Sequence, residues 1–374
     1  MTLPPAVLQV LPALASGGVE RGTIEIAEAI RDAGLRPIVA SAGGALVAEL
    51  ERLGATHVTL PLATKSPLGL WRNAAALTAL ARAEGVRIIH ARSRAPAWSA
   101  LWAARRSGAA FVTTYHGAYN EQLPGKRLYN SVMARGDRVI AISRFIADLV
   151  QARHGVPESR IRLIPRGVDP RRFDPAAIGG EAVAAQREAW GAAPGDAVIL
   201  LPARLTRWKG QAVLVEALAH LPATARVVLA GGGRDNFRDE LLALAARHGV
   251  ADRLRIAGHV PDLARAMAAA DIVVHASTDA EAFGRTVIEA QAMARPVVAA
   301  DLGGPRETVE HGVTGWRVPP GDPAALAAML AQVLAMPVEA RQAVGDAARD
   351  SVLRHYSTAA MQAATVAVYR ELLG

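Results

Sequence analysis

Two glutamates stand eight residues apart late in the chain: Glu281, in a polar stretch ahead of a glycine, and Glu289, within the apolar run Val287-Ile288-Glu289-Ala290. An acid in such a run needs a partner if it is buried. A ribose diol suits it, because a carboxylate accepts two hydroxyl hydrogen bonds; the alternative is a solvent-facing glutamate on an ordinary helix. Between the two acids, Phe283, Gly284, Arg285 and Thr286 would open a helix, where backbone N–H groups meet phosphate oxygens. Asp279 and Glu281, two apart, also have the spacing of a Mg²⁺ or Mn²⁺ pair on a diphosphate. Upstream, Arg204 and Lys209 lie five apart in Pro202–Gly210. A guanidinium fork and an ammonium point charge near a helix start suit a diphosphate, or else form a solvated basic loop. Such a pair would neutralise a diphosphate without metal, so no metal or other cofactor is expected. Lys209 is one of three lysines among the 42 Lys and Arg, which singles it out in a chain that otherwise uses arginine.

Three weaker signals precede and follow these. His116, after the run Phe111–Tyr115, can hydrogen-bond a ligand hydroxyl or act as an acid or base; a lone histidine is equally a structural one. Gly17 and Gly18 open a helix and let backbone N–H groups approach an anion. Their sequence is not GxGxxG and no acid closes the next strand, which disfavours dinucleotide binding. The Gly231–Gly233 loop and the Gly258–Asp262 loop, with Val260, offer backbone groups to a base edge.

These residues follow short apolar runs that alternate with helical stretches. Strands are expected at Val7–Leu11, Pro37–Ala40, Val86–His90, Phe111–Tyr115 and Val139–Ile142, and again at Ala197–Leu201, Arg226–Ala230, Leu254–Ala257, Ile272–His275 and Pro296–Ala299. Helices are expected at Val19–Ala33, Leu68–Ala83, Ser143–Arg153, Gln211–Leu221 and through the end, Ala340–Leu373. Strand–helix alternation implies parallel sheets with crossover helices, whose ligands bind beyond the C-terminal strand ends. The alternation breaks over Pro165–Pro194, which holds four prolines and Gly179-Gly180 and reads as the linker. The expected domains are 1–178 and 179–350, with a C-terminal helix over 351–374 packing back on the first.

The 374 residues exceed the roughly 250–300 at which one core stops growing, so two domains are the prior. Zero cysteine removes disulfides, thiolate metal sites and cysteine nucleophiles together. The net charge of +8 is uneven: residues 1–178 carry 23 basic and 13 acidic groups, and the remainder carries 19 and 21. A basic half points to an anionic partner, unless it is drift toward arginine. With 4% aromatic residues, and those not interleaved with the basic ones, nucleic-acid binding is disfavoured. No basic leader opens the chain and no run approaches ~18 apolar residues, so a cytoplasmic or peripheral membrane location is expected.

The Glu281-Ala282-Phe283-Gly284…Glu289 segment resembles the E-x7-E motif of the family-four retaining glycosyltransferases. The Gly17-Gly18-Val19-Glu20 loop, His116-Gly117, Arg204…Lys209, Gly231–Gly233 and Pro305-Arg306-Glu307…Gly312…Gly315 occur in that family's order, across nearly the whole chain. The resemblance implies an α/β, GT-B fold: two Rossmann-like domains facing across a cleft. It implies that Arg204 and Lys209 bind a donor diphosphate, Glu289 the ribose, and the Val260 loop the base. Glu281 and the backbone of Phe283, Gly284, Arg285 and Thr286 would hold sugar hydroxyls and phosphates, His116 would lie near the donor sugar, and Gly17 and Gly18 beside the phosphates. The catalytic set is then His116, Glu281, Lys209 and Arg204. Ala282 departs from the family's usual glycine and adds a methyl to that loop.

The implied reaction moves a sugar from a nucleotide-diphosphate sugar to a hydroxyl of a glycan or lipid-linked acceptor held by the first domain. The Gly-Gly-Val-Glu-Arg opening and His90-Ala91-Arg92-Ser93-Arg94 resemble lipopolysaccharide-type enzymes, hence an envelope-polysaccharide role. Arg92/Arg94, Arg105/Arg106, Lys126/Arg127 and Arg135/Arg138 would face an anionic acceptor or membrane. The helix Leu70–Ala83, with Trp71, Leu77 and Leu80, is either a membrane-surface helix or an ordinary core-facing one. Two rivals are a UDP-sugar 2-epimerase, which shares the architecture, and a non-enzymatic two-domain sugar-binding protein.

Overall fold

The computed structural model describes residues 3–15, 17–121 and 123–374. The chain divides into two compact units: the residues up to Pro165 together with Ala359–Gly374, and Arg166–Thr358.

In the first unit, among the described residues, seven strands form one parallel sheet: β1 (Ala6–Val10), β2 (Arg36–Ser41), β3 (Thr56–Thr59), β4 (Val86–Ala91), β5 (Ala110–Tyr115), β6 (Arg138–Ala141) and β7 (Ile161–Leu163), in the order β3-β2-β1-β4-β5-β6-β7. The inner strands read as unbroken apolar runs because helices cover both faces; Val7, Leu8, Ile88, Ile89 and Val112 are fully buried. β3 and β7 were not expected. They are edge strands of four and three residues, part exposed, and their sequences (Thr-His-Val-Thr, Ile-Arg-Leu) carry too few apolar positions to signal burial. The helix Pro67–Ala83 turns Ala74, Leu77 and Ala81 into the core and leaves Leu68 and Trp71 exposed at its start. Leu77 therefore faces the core.

The second unit, again among the described residues, holds six parallel strands: β8 (Ala197–Pro202), β9 (Ala225–Ala230), β10 (Leu254–Gly258), β11 (Ile272–His275), β12 (Val297–Ala300) and β13 (Trp316–Val318), ordered β10-β9-β8-β11-β12-β13. Three-residue β13 at the far edge was also missed by periodicity. The chain runs outward from β8 to β9 and β10, then returns to place β11 on the other side of β8. Strand order reverses there, which is where α/β sheets open a ligand crevice at the C-terminal strand ends.

Two boundaries differ from expectation. Residues 166–178, expected with the first domain, pack in the second unit. Val168 and Phe173 are buried, Val168 N–H donates to the Tyr356 carbonyl at 2.8 Å, and Arg349 bonds the Phe173 carbonyl at 3.0 Å and Asp174 at 3.2 Å. The prolines here make the backbone irregular without freeing it. The C-terminal stretch is two helices, Val338–His355 and Thr358–Leu373, broken at Tyr356-Ser357, where Val168 pairs with Ser357.

The second of these helices belongs to the first unit. It lays Met361, Val368 and Tyr369 on Val7, Ile26, Ile88, Val112 and Ile140. Tyr369 Oη lies 2.6 Å from His90 Nδ1, and His90 Nε2 lies 2.7 Å from Thr114 Oγ1, so a fully buried imidazole is satisfied at both nitrogens. Burial, then the charge of Arg92, holds the His90 pKa well below the ordinary range, so this imidazole stays neutral. Among the described residues no single helix is long and apolar enough to cross a membrane.

Candidate active site

Lys209 and Glu281 meet at the point where strand order reverses in the second unit. Lys209 ends the single 3₁₀ turn Arg207–Lys209 after β8; Glu281 sits in the loop after β11. Lys209 Nζ donates to Glu281 Oε2 at 2.6 Å. His275, the last residue of β11, places Nε2 2.7 Å from the same oxygen, and Ser277 Oγ donates to it at 3.2 Å. Burial opposes the carboxylate's charge, but hydrogen bonding and charge from His275 and then Lys209 win, and the Glu281 pKa falls to about 2. Glu281 is thus ionised at any working pH. Lys209 Nζ also lies 4.2 Å from the Trp208 ring centroid, a cation–π contact that fixes the stem.

Glycines permit this meeting. Gly210 has φ +72°, and a Cβ there would collide with the Ala276 carbonyl. Its absence lets the Lys209 turn lie directly on the backbone leaving β11, where Thr278 N–H donates to the Trp208 carbonyl at 2.8 Å. On the other side of the Glu281 loop, Gly303 and Gly304 press against the backbone of Glu281 and Phe283, and Gly304 N–H donates to the Glu281 carbonyl at 2.8 Å. The loop carrying the acid is clamped from both sides by backbone.

Gly284, at φ +80°, is the N-cap of the helix Arg285–Ala292 and gives it no side-chain cap; a helix start of this kind is where an anion can be met. Phe283 turns its ring inward against Tyr356, with centroids 5.8 Å apart, so it can meet a ligand only through its backbone. Glu289 is buried on this helix, and Arg285 Nε lies 3.3 Å from its Oε1. Arg204 leads into the Lys209 turn. Its side chain is exposed, and it lines a cavity of about 460 Å³ with Arg207, Gly232, Gly233, Arg234 and Phe237. Leu205 N–H donates to the Gly232 carbonyl at 2.9 Å, which ties this turn to the glycine-rich loop after β9. Val260 is part buried just beyond β10, ahead of the Asp262 helix cap.

The remaining expected residues lie in the first unit. His116 follows β5 in a turn folded on itself: the Tyr115 and Tyr119 rings stack at 4.5 Å, Arg94 sits 4.1 Å over Tyr119, and the His116 backbone bonds the Tyr119 side chain. Gly17, with φ +137°, caps the helix Gly18–Asp32; Ser16 of that loop lies outside the described residues. Arg92 is buried beneath the surface, so it is no part of an exposed basic face, whereas Arg105, Arg127 and Arg135 are exposed.

Comparison with known proteins gives this geometry its setting. Residues 16–172 match the model described as Glycosyltransferase Family 4, and residues 183–351 match Glycosyl transferases group 1. A glycosyltransferase from Rickettsia africae is 36% identical, aligns over 99% of both chains and has a TM-score of 0.89. The chain is a family-four, group 1 glycosyltransferase. Anabaena HepE, crystallised with UDP-glucose, is 25% identical over 98% of this transferase and 99% of HepE, with a TM-score of 0.86. A D-inositol 3-phosphate glycosyltransferase of Xylanimonas cellulosilytica is 40% identical over 54% of the transferase, and the match spans about half the length of that relative.

Membership of this family makes the transferase an enzyme and sets aside the epimerase and the binding protein. Among the expected residues the structure joins Lys209 to Glu281 and Arg285 to Glu289, and places Arg204 on the lining of a cavity with the glycine-rich loop after β9. An ammonium on Glu281 Oε2 also works against the Asp279–Glu281 metal pair, since a cation there would meet Lys209 at close range. Sequence reasoning missed His275 and Ser277. The available signal was a histidine closing an otherwise apolar buried strand, Ile-Val-Val-His.

Proposed function

We propose that the transferase moves a sugar from a nucleotide-diphosphate sugar to an acceptor hydroxyl with retention at the anomeric carbon. The observation that carries this reading is the Lys209–Glu281 pair at the strand reversal of the second unit, with Arg204 on the same turn. Arg204 and Lys209 supply the cations for a diphosphate, Glu289 the acceptor for a ribose diol, and the backbone from Phe283 to Thr286 further phosphate contacts. Two protein cations neutralise the leaving diphosphate, so the reaction needs no metal. HepE, with its bound UDP-glucose, supports UDP as the nucleotide.

In the reaction, the acceptor oxygen attacks the anomeric carbon on the face the nucleotide leaves. The bond from that carbon to the diphosphate oxygen breaks, its electrons pass to the diphosphate, and the diphosphate takes the acceptor's proton. The protein contributes position and electrostatic stabilisation of that developing charge. His116 is read as a contact of the donor sugar, and Gly17 and Gly18 as neighbours of the phosphates.

The acceptor is read as a glycan or lipid-linked hydroxyl of the cell envelope, lipopolysaccharide included, met from the cytoplasmic side at an anionic membrane; the basic first half supports this. The inositol 3-phosphate relative favours a second reading, a small phosphorylated polyol. A thermal-shift screen with UDP-, GDP- and ADP-sugars, then turnover with lipid-linked glycan against inositol phosphate, separates these readings. Stabilisation by no nucleotide sugar would sink the donor assignment.

A further inference from the structure

The three bonds to Glu281 all fall on one oxygen. Lys209 Nζ, His275 Nε2 and Ser277 Oγ reach Oε2 at 2.6, 2.7 and 3.2 Å, and among the described residues no group bonds Oε1. His275 closes a strand whose other three residues are buried aliphatics, and it is buried itself, 6% exposed. Its Nδ1 is enclosed without a hydrogen-bond partner. An imidazole with one unsatisfied nitrogen is a costlier occupant of such a position than valine or leucine. The ring's polar contacts are all at Nε2, with Glu281 and, at 3.2 Å, with Ser277 Oγ. An ionised oxygen opposite Nε2 requires a proton on Nε2, so the ring donates to Glu281 there.

We propose that His275 and Ser277 are positioning residues that hold Glu281 through Oε2, leaving Oε1 to accept a hydroxyl of the donor sugar and Lys209 with N–H donors for a phosphate. The inference rests on the reading of Glu281 as a sugar contact. An ammonium has three donors, and Lys209 directs one of them at Glu281. When a diphosphate arrives, Lys209 is drawn between two anions. Without other donors, Glu281 would then be a part-buried carboxylate facing a phosphate with its one partner shared, and it would rotate away or take a proton. His275, at the end of β11, and Ser277, on the loop that follows, keep the acid ionised and oriented while Lys209 serves the phosphate.

The ionisable groups touching Glu281 are Lys209, from the turn after β8, and His275, from the end of β11. The Gly303–Gly304 turn contributes backbone only, and Asp279, earlier on the same loop, is exposed. Burial alone would raise the carboxyl's pKa, so losing one of its donors moves it upward.

The test needs no acceptor. Calorimetric titration of the whole chain with UDP-glucose and with UDP, from pH 8 to pH 5, reads the sugar's contribution as a ratio of affinities. His275→Leu should lose about tenfold in UDP-glucose affinity, keep its UDP affinity, and lose more as pH falls. His275→Gln, whose amide N–H can stand in for Nε2, should recover most of the ratio, and Ser277→Ala should lose about threefold in the same direction. Should UDP-glucose not bind the unmodified chain, the nucleotide sugar that most stabilises it, with its parent diphosphate, replaces the pair. A wild-type ratio in His275→Leu, with the ratio lost in Glu281→Gln, overturns the positioning role alone. Retention of the ratio in Glu281→Gln overturns the sugar contact and the inference with it. Equal loss of UDP and UDP-glucose in both His275 variants marks a structural role and also overturns it.

Discussion

Removing the Lys209 ammonium takes from part-buried Glu281 one of its partners and from the diphosphate one of its two proposed counter-charges. Lys209→Ala is expected to lower kcat about 10²–10³-fold, the usual cost of losing one preorganised stabilising group; Arg204→Ala, exposed and flanked by Arg207 and Arg234, should lose less. Turnover compared with circular dichroism separates chemistry from folding, and near-normal turnover in both variants would sink the diphosphate assignment. Glu281 also has a pH signature. Its folded pKa, about 2, lies below its ordinary 4.5, so its bonds stabilise the fold fully above about 5 and lose that contribution as pH falls through 2. The stability gap between wild type and Glu281→Gln should hold constant from pH 8 to 5 and shrink below 4, as read by denaturant melts at each pH. The pairing of Lys209 with Glu281 was not legible from their types: 72 residues separate them, and both had been read as ligand contacts, not as partners of each other.

At the scale of elements, the site depends on backbone approach. Gly210→Ala must put a Cβ at φ +72° against the Ala276 carbonyl. The left-handed strain alone costs about 1–3 kcal/mol, and relief of the clash moves the Lys209 turn off the Glu281 loop. Both a lower denaturation midpoint and a loss of turnover are expected; unchanged values in both would contradict the packing described. The inner strands were readable because both of their faces are buried, which leaves unbroken apolar runs. Three of the four edges were not: β3, β7 and β13 have three or four residues each, and pairing with a neighbour, not composition, makes them strands, while the five-residue edge β10 was readable. Pro165–Pro194 shows the converse. Its prolines marked irregular chain correctly, but where that chain packs was decided by Val168 and Phe173, which are buried in the second unit.

At the scale of the molecule, the return of the last helix completes the first unit. Tyr369→Phe removes the buried bond to His90 and should cost about 1 kcal/mol, seen in hydrogen exchange as faster opening of β4 and β5. Deleting 359–374 uncovers Val7, Ile26, Ile88, Val112 and Ile140, and should raise exchange across β1, β4 and β5 while leaving β8, β9 and β11 protected. Uniform loss of protection would show that the two units unfold together.

The sequence alone determined the class and the order of parts: two parallel α/β units, each motif just beyond a strand end, and the E-x7-E, Arg…Lys and glycine loops in family order. These are local properties, set by apolar runs, turn residues and spacing. Tertiary structure decided which charges meet. It brought β11 back beside β8, set Lys209, His275 and Ser277 on a single oxygen of Glu281, put Arg204 beside the glycine-rich loop after β9, and buried Arg92. Those outcomes depend on strand order and on close backbone contact at Gly210, Gly303 and Gly304, which arise only when segments far apart in the chain pack together.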